Sequence, residues 1–192
     1  MSPKAYKKSK ISKNLVIDAS IAHSAGQKEH PSSKHCRELL DSILAICHKM
    51  VMTKDIRDEW NNHQSIYAKE WRYTMTSRGK IISPASSSNN ILLDKLQNSA
   101  EELYKQLDER KSQLEIMRKD LHLIEASLET HSIIISTDKE AQKAFTKISH
   151  DIGEIKQIMW INPVANAEEM AKWLEEGAKT ENKYFLENIS DP

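Results

Sequence analysis

The chain has 192 residues, long enough for one domain with a sizeable core, and its 28 Lys and Arg balance 28 Asp and Glu. An evenly spread charged fraction of 29%, with frequent Leu, Ile, Val, Met and Ala, argues against disorder, and neutrality leaves any attraction for a polyanion to local patches. No apolar run approaches the ~20 residues of a membrane span, and Cys36 and Cys47 are too few for a disulfide framework and indicate buried thiols in a reducing cytoplasm.

Residues 1–13 form a Lys-rich arm without the apolar stretch of a secretory signal. Asn14–Asp18 is the first strand. His23 to Ser33 is polar, contains Gly26 and Pro31, and reads as a loop. Ser32 or Ser33 then caps a helix with Cys36, Leu39, Leu40, Ile43, Ile46 and Cys47 on its apolar face. Met50–Thr53 is a second strand. A helix follows from about Lys54, with Ile56, Trp60, Tyr67 and Trp71 at helical spacing and Gly79 as its stop. Lys80–Ser83 is extended, and Pro84 to Asn90 is a loop.

From Ala85 to Ile152 there is neither Gly nor Pro. Leu93, Leu96, Ala100, Leu103, Leu107, Arg110, Leu114, Met117, Leu121, Ile124 and Leu128 step by three and four, a heptad pattern. One helix of this length would run about 60 Å, against a radius of gyration of about 16 Å for a compact domain. The run therefore either projects from the body or breaks between Arg110 and Lys119, with a second helix opening near Asp120; the break is favoured. The seam buries a helix–helix contact within the chain or, in a homo-oligomer, between copies. Ser132–Thr137 is the next strand, Lys139–Ile148 a helix and Ile155–Ile161 a strand stopped by Asn162-Pro163. Glu168–Glu176 and Lys183–Asn188 are helical. Strands alternating with helices predict an α/β fold around a mainly parallel sheet.

Asp18 and Asp138 each follow an apolar strand. Carboxyl ends of parallel strands share one edge, so acids far apart in sequence meet there. Such acids repel one another unless a cation sits among them, which points to a divalent metal. The competing role is helix capping: Asp18 or Ser20 for the first helix, and a capping box with Thr137 as cap and Glu140 reaching back for the later one. Asp55, Asp58 and Glu59 share one helix face, and position alone does not choose among them. Asp120 borders the heptad core in a helix's first turn, and His122 faces elsewhere on that helix. The eight histidines show no zinc spacing.

The ordered set resembles the PIN-domain family of metal-dependent nucleases. Asn14-Leu-Val-Ile-Asp18-Ala-Ser20 is similar to its first strand. Asp58-Glu59-Trp60 resembles the acidic helix after the second strand, and the resemblance selects Glu59. Asp120-Leu-His-Leu-Ile-Glu125-Ala126 resembles the motif in which an aspartate opens a helix. Ser136-Thr137-Asp138-Lys139 resembles the final Thr-x-Asp motif, with Ser136 where Thr is commoner. The resemblance covers residues 14–163, with a helical insertion at about 91–118 and a C-terminal helical extension at 164–192.

That resemblance implies a three-layer α/β/α sandwich and an endoribonuclease dependent on Mg²⁺ or Mn²⁺. Asp18, Glu59, Asp120 and Asp138 would hold the metal, with oxygen-only ligands suiting those ions, and Ser20 and Ser136 would position them from behind. Hydrolysis would leave a 3′ hydroxyl and a 5′ phosphate. Lys69, Arg72, Arg78 and Lys80, or alternatively the N-terminal lysines, are the candidates for RNA backbone contacts. A protein inhibitor or antitoxin is an implied partner, because many family members are toxins and others serve RNA processing or defence. The alternative is a non-catalytic scaffold that binds a protein through its helices. Aspartyl-phosphate chemistry is disfavoured, since Ser20 stands where its Asp-x-Asp pattern needs the second acid.

Overall fold

Short, fully apolar strands make up the centre of the molecule. The computed structural model describes residues 11–26, 30–84 and 90–189. Residues 1–10 of the basic arm lie outside these, as do 27–29, 85–89 and 190–192 of the predicted loops and extension. Strands β1 (Asn14–Ile17), β2 (Lys49–Val51), β3 (Ile81–Ile82), β4 (Ile133–Ile135) and β5 (Met159–Ile161) form one sheet in the order β3-β2-β1-β4-β5, with every neighbouring pair parallel. Leu15-Val16-Ile17 and Ile133-Ile134-Ile135 are wholly buried, as strands covered on both faces must be.

The cover is helical. Among the described residues it consists of α1 (Ala19–Ser24), α2 (Pro31–Ala45), α3 (Lys54–His63), α4 (Ile66–Ser77), α5 (Asn90–Leu103), α6 (Leu107–Leu128), α7 (Lys139–Ser149) and α8 (Ala167–Glu175). Helices α1 to α4 and α8 pack among themselves, and α5, α6 and α7 form the other group. Right-handed crossovers place the two groups on opposite faces. The result is the α/β/α sandwich expected from the alternation of elements. The chain moves outward from β1 through β2 to β3, then returns to lay β4 on the other side of β1. The β1–β4 boundary is thus the switch point, where strand carboxyl ends open a crevice. Among the described residues no helix is long and apolar enough to cross a membrane.

Several local expectations differ from the structure. Helix α1 starts directly after Asp18 and includes His23, so the loop is shorter than its composition implied. Helix α2 is capped by His30, whose Nδ1 accepts the Ser32 N–H at 3.3 Å, with Pro31 at the first helical position; neither serine is the cap. The single helix from Lys54 is two helices. Ser65 opens the second by accepting the Ala68 N–H at 3.2 Å, a cap hidden in the sequence by apolar spacing that continues across it.

The long heptad run breaks at residues 104–106, not between Arg110 and Lys119. Tyr104 is buried there, and the Arg110 guanidinium donates from Nε and Nη2 to the Tyr104 carbonyl at 3.2 and 3.1 Å, satisfying the end of α5. Helices α5 and α6 pack on each other within the chain. Their buried stripe is Leu92, Leu96, Ala100, Tyr104 and Met117, whereas Leu103 and Leu107 flank the corner and are exposed. The C-terminal residues join the same body. His48 Nε2 bonds the Leu174 carbonyl of α8 at 2.8 Å, and Phe185 pairs with Met159 beyond the sheet edge.

Candidate functional site

Asp18 is the residue after β1 and the N-cap of α1, yet its side chain makes no capping hydrogen bond. Its N–H donates to the Ile135 carbonyl at 3.0 Å, extending the β1–β4 ladder past the strand end. Its carboxylate is 5% exposed and is held by hydroxyls. Oδ2 accepts from Ser20 Oγ at 2.5 Å and from Ser136 Oγ at 2.6 Å. Hydroxyl donors to a carboxylate are among the stronger hydrogen bonds in proteins. The hydroxyls are themselves anchored: Ser136 Oγ accepts the Asp138 N–H at 3.0 Å, and Ser20 Oγ the Thr137 N–H at 3.1 Å. Thus Asp18, Ser20 and Ser136 tie β1 to the turn between β4 and α7.

Asp138 caps α7. Its Oδ1 accepts the Ala141 N–H at 2.9 Å. The capping box with Thr137 as cap is not formed, because the cap lies one residue later and the residue three beyond it is alanine, which cannot reach back. Capping also immobilises the Asp138 carboxyl where it lines the crevice.

Glu59 comes from α3, whose start is fixed by Thr53 Oγ1 accepting the Ile56 N–H at 3.3 Å. The next residue, Trp60, is fully buried, stacks on Trp71 at 6.0 Å, and donates from Nε1 to the Ile17 carbonyl at 2.8 Å. The indole therefore pins α3 against the end of β1 and brings Glu59 to the crevice. Asp120 is the acid whose setting differs most from expectation. It does not open a helix; it lies well inside α6 and is 4% exposed.

These residues meet. A cleft of about 230 Å³ is lined by Asp18, Ala19, Ser20, His23, Glu59, His63, Lys119, Asp120 and Asp138. Burial pushes the Asp120 carboxyl up to about 7, with Lys119 opposing and the charges of Asp18, Asp138 and Glu59 adding to the rise. Burial also acts to raise Glu59, but His122, Lys119 and His63 outweigh it and hold that carboxyl below its usual value. His122 is raised: burial opposes its charge, and Glu59, with Asp120 and the Lys119 carbonyl adding to it, outweighs burial.

The donor set suits a hard divalent cation. It is carboxylate oxygen, without thiolate, and one member is driven toward protonation by burial and by the other three. Among the described residues, no three His, Cys, Asp or Glu side chains stand close enough as placed to chelate one ion. Carboxylates sharing a cleft repel one another, and Asp18 is turned toward its hydroxyl donors.

The basic residues selected from sequence are elsewhere. Lys80 is half-buried at the C-terminal end of α2, where Nζ donates to the carbonyls of Ile43 at 2.6 Å, Leu44 at 2.9 Å and Ile46. Burial holds that ammonium down at about 8. Arg78 reaches the Leu44 carbonyl at 3.4 Å, and Arg72 bonds Asn61 Oδ1 at 2.8 Å. None of the three lines the acidic cleft. Lys119, His23 and His63 do, and sequence reasoning passed over them. Their signal was spacing: His23 stands one turn from Ser20, His63 one turn from Glu59, and Lys119 precedes Asp120. Comparison of the chain with protein-family models and with curated protein sequences finds no match.

Proposed function

We propose that this chain is a Mg²⁺- or Mn²⁺-dependent phosphodiesterase of PIN-like design, acting on RNA as an endoribonuclease. The observation that carries the reading is the convergence of Asp18, Glu59, Asp120 and Asp138 on one cleft at the switch point of a parallel sheet. These four side chains would hold the ion. When bound, it would activate water and offset charge on the phosphate. The chain's own residues supply the rest. Ser20 and Ser136 fix the Asp18 carboxylate, and the helix cap fixes Asp138. Lys119, with His23 and His63 beside it, is the group in the cleft suited to bind substrate phosphate. Phosphate contacts of this kind position a strand without reading its bases.

A cytoplasmic setting belongs to the same proposal and is supported by the reduced Cys36 thiol, which is buried and pushed up to about 11. The exposed Leu103 and Leu107 at the α5–α6 corner favour a second reading, a scaffold that docks a protein partner there, such as an inhibitor or antitoxin. Purified protein incubated with single-stranded RNA or DNA in Mn²⁺, Mg²⁺ or chelator separates the two. Metal-dependent cleavage of RNA, lost in Asp18→Asn, supports the nuclease. Intact RNA under every metal condition refutes it and leaves the scaffold.

A further inference from the structure

We propose that His122 is a positioning residue for the acidic cleft, holding the Glu59 carboxylate from behind; the inference rests on the metal-dependent reading and deepens it. His122 is on α6, two residues past Asp120, and so points to a different side of that helix. It is not among the residues that line the cleft. Its side chain is 11% exposed and that of Glu59 is 26% exposed. The two come from separate helices and meet behind the site.

The ring's orientation is set by its own helix. Nδ1 lies 3.0 Å from the Lys119 carbonyl oxygen, which can only accept, so Nδ1 carries a hydrogen. That anchor aims Nε2 at Glu59, 3.2 Å from Oε2. Nε2 is buried, and among the described residues it has no aligned hydrogen-bond partner, so the approach to Glu59 is a close contact rather than a completed bond. A buried ring nitrogen costs free energy unless it is matched. Because Nδ1 already carries a hydrogen, the Glu59 carboxylate matches Nε2 as the acceptor of the second N–H of the charged ring, the form in which the two side chains are an ion pair. Helix α6 therefore carries one acid, Asp120, and also the side chain that restrains a second acid arriving on α3. A glutamate otherwise loses considerable rotamer freedom when it is ordered, and a group behind it takes up part of that cost in advance.

The test is a double-mutant cycle in the full chain, using Mn²⁺ as the probe. Mn²⁺ affinity is measured by electron paramagnetic resonance for wild type, His122→Phe, Glu59→Gln and the double variant, and melting temperature is recorded in EDTA and in Mn²⁺. His122→Phe is expected to weaken Mn²⁺ roughly tenfold or more and to shrink the rise in melting temperature that Mn²⁺ produces. In the Glu59→Gln background the same change should alter affinity by less than about twofold, because the two side chains act as one unit. His122→Gln, which keeps an N–H donor, should recover part of the loss. Should His122→Phe fail to fold, His122→Leu takes its place in the cycle.

A lower melting temperature in EDTA with unchanged Mn²⁺ affinity would show a purely structural histidine and overturn the proposal. Equal losses in both backgrounds would overturn it too. If wild type binds Mn²⁺ and His122→Phe binds equally well, the inference fails alone. If wild type binds no Mn²⁺, the metal-dependent reading fails and the inference falls with it.

Discussion

Ser136→Ala removes one hydroxyl from the point where β1, β4 and α7 are tied together. Ser136 is fully buried, donates to Asp18 Oδ2 at 2.6 Å and accepts the Asp138 N–H at 3.0 Å. Losing a hydrogen bond to a charged group costs about 1.5–3 kcal/mol, and the Asp138 N–H, in a part-buried place, adds about 1 kcal/mol when left unmatched. Asp18 keeps the Ser20 hydroxyl, which limits the damage. The expected total is about 3 kcal/mol. With a urea m-value of about 2 kcal/mol/M, the unfolding midpoint falls by about 1.5 M. Ser136→Thr keeps the hydroxyl and adds one methyl at a filled position, so it should cost only about 1 kcal/mol. Urea unfolding in EDTA, followed by circular dichroism, reads both variants without any bound ion. A loss below about 1 kcal/mol in Ser136→Ala, or a threonine variant less stable than the alanine one, would contradict the network.

The remaining predictions concern separate parts of the molecule. His48 is fully buried and neutral: its Nδ1 accepts the Lys13 N–H at 3.1 Å, and burial holds its pKa below the ordinary value. Its contribution to stability is therefore complete above the unfolded-state value of about 6.5 and is lost as pH falls from there through the folded value. The stability gap between wild type and His48→Gln should narrow over that window, and a gap independent of pH would refute the assignment. Lys80→Met should cost about 1–2 kcal/mol, discounted for the solvent-facing half of the side chain, and should leave RNA affinity unchanged; a selective loss of RNA binding would return Lys80 to the substrate path. Lys119→Ala, measured in an Asp18→Asn background so that RNA survives, should weaken binding to all sequences alike and reduce the salt slope by about one. An unaltered slope would place the substrate elsewhere. Leu96→Asp should cost more than about 3 kcal/mol as a buried unpaired charge, whereas Leu103→Asp, at an exposed corner, should be nearly neutral; equal costs would refute the observed register of α5.

Much of the architecture is legible from local pattern. Leu15-Val16-Ile17 and Ile133-Ile134-Ile135 are continuous apolar runs, as strands covered on both faces must be, and the acids that follow mark the open edge. The setting of Asp120 is harder to read. Its place between Met117 and Leu121 showed that it borders the core, but the helix start is set by the break at residues 104–106, where Arg110 takes up the Tyr104 carbonyl six residues before it. Helix boundaries inside an unbroken heptad run carry no such signal. His122 was read as facing away from the acids, which is true along α6; only the packing of α3 over it brings Glu59 within reach. Arg78 and Lys80 look in the sequence like unengaged cations, yet the end of α2, distant in sequence, supplies the carbonyls that take them up.

The most direct test of the central claim is Mn²⁺ binding by wild type and Asp18→Asn, measured by isothermal titration calorimetry on protein shown to be folded. Asparagine keeps the size of Asp18 and removes the charge, so a shared metal cleft predicts measurable binding by wild type and a loss of tenfold or more in the variant, about 1.4 kcal/mol at least. Equal binding by the two proteins, or none by either, would contradict the account.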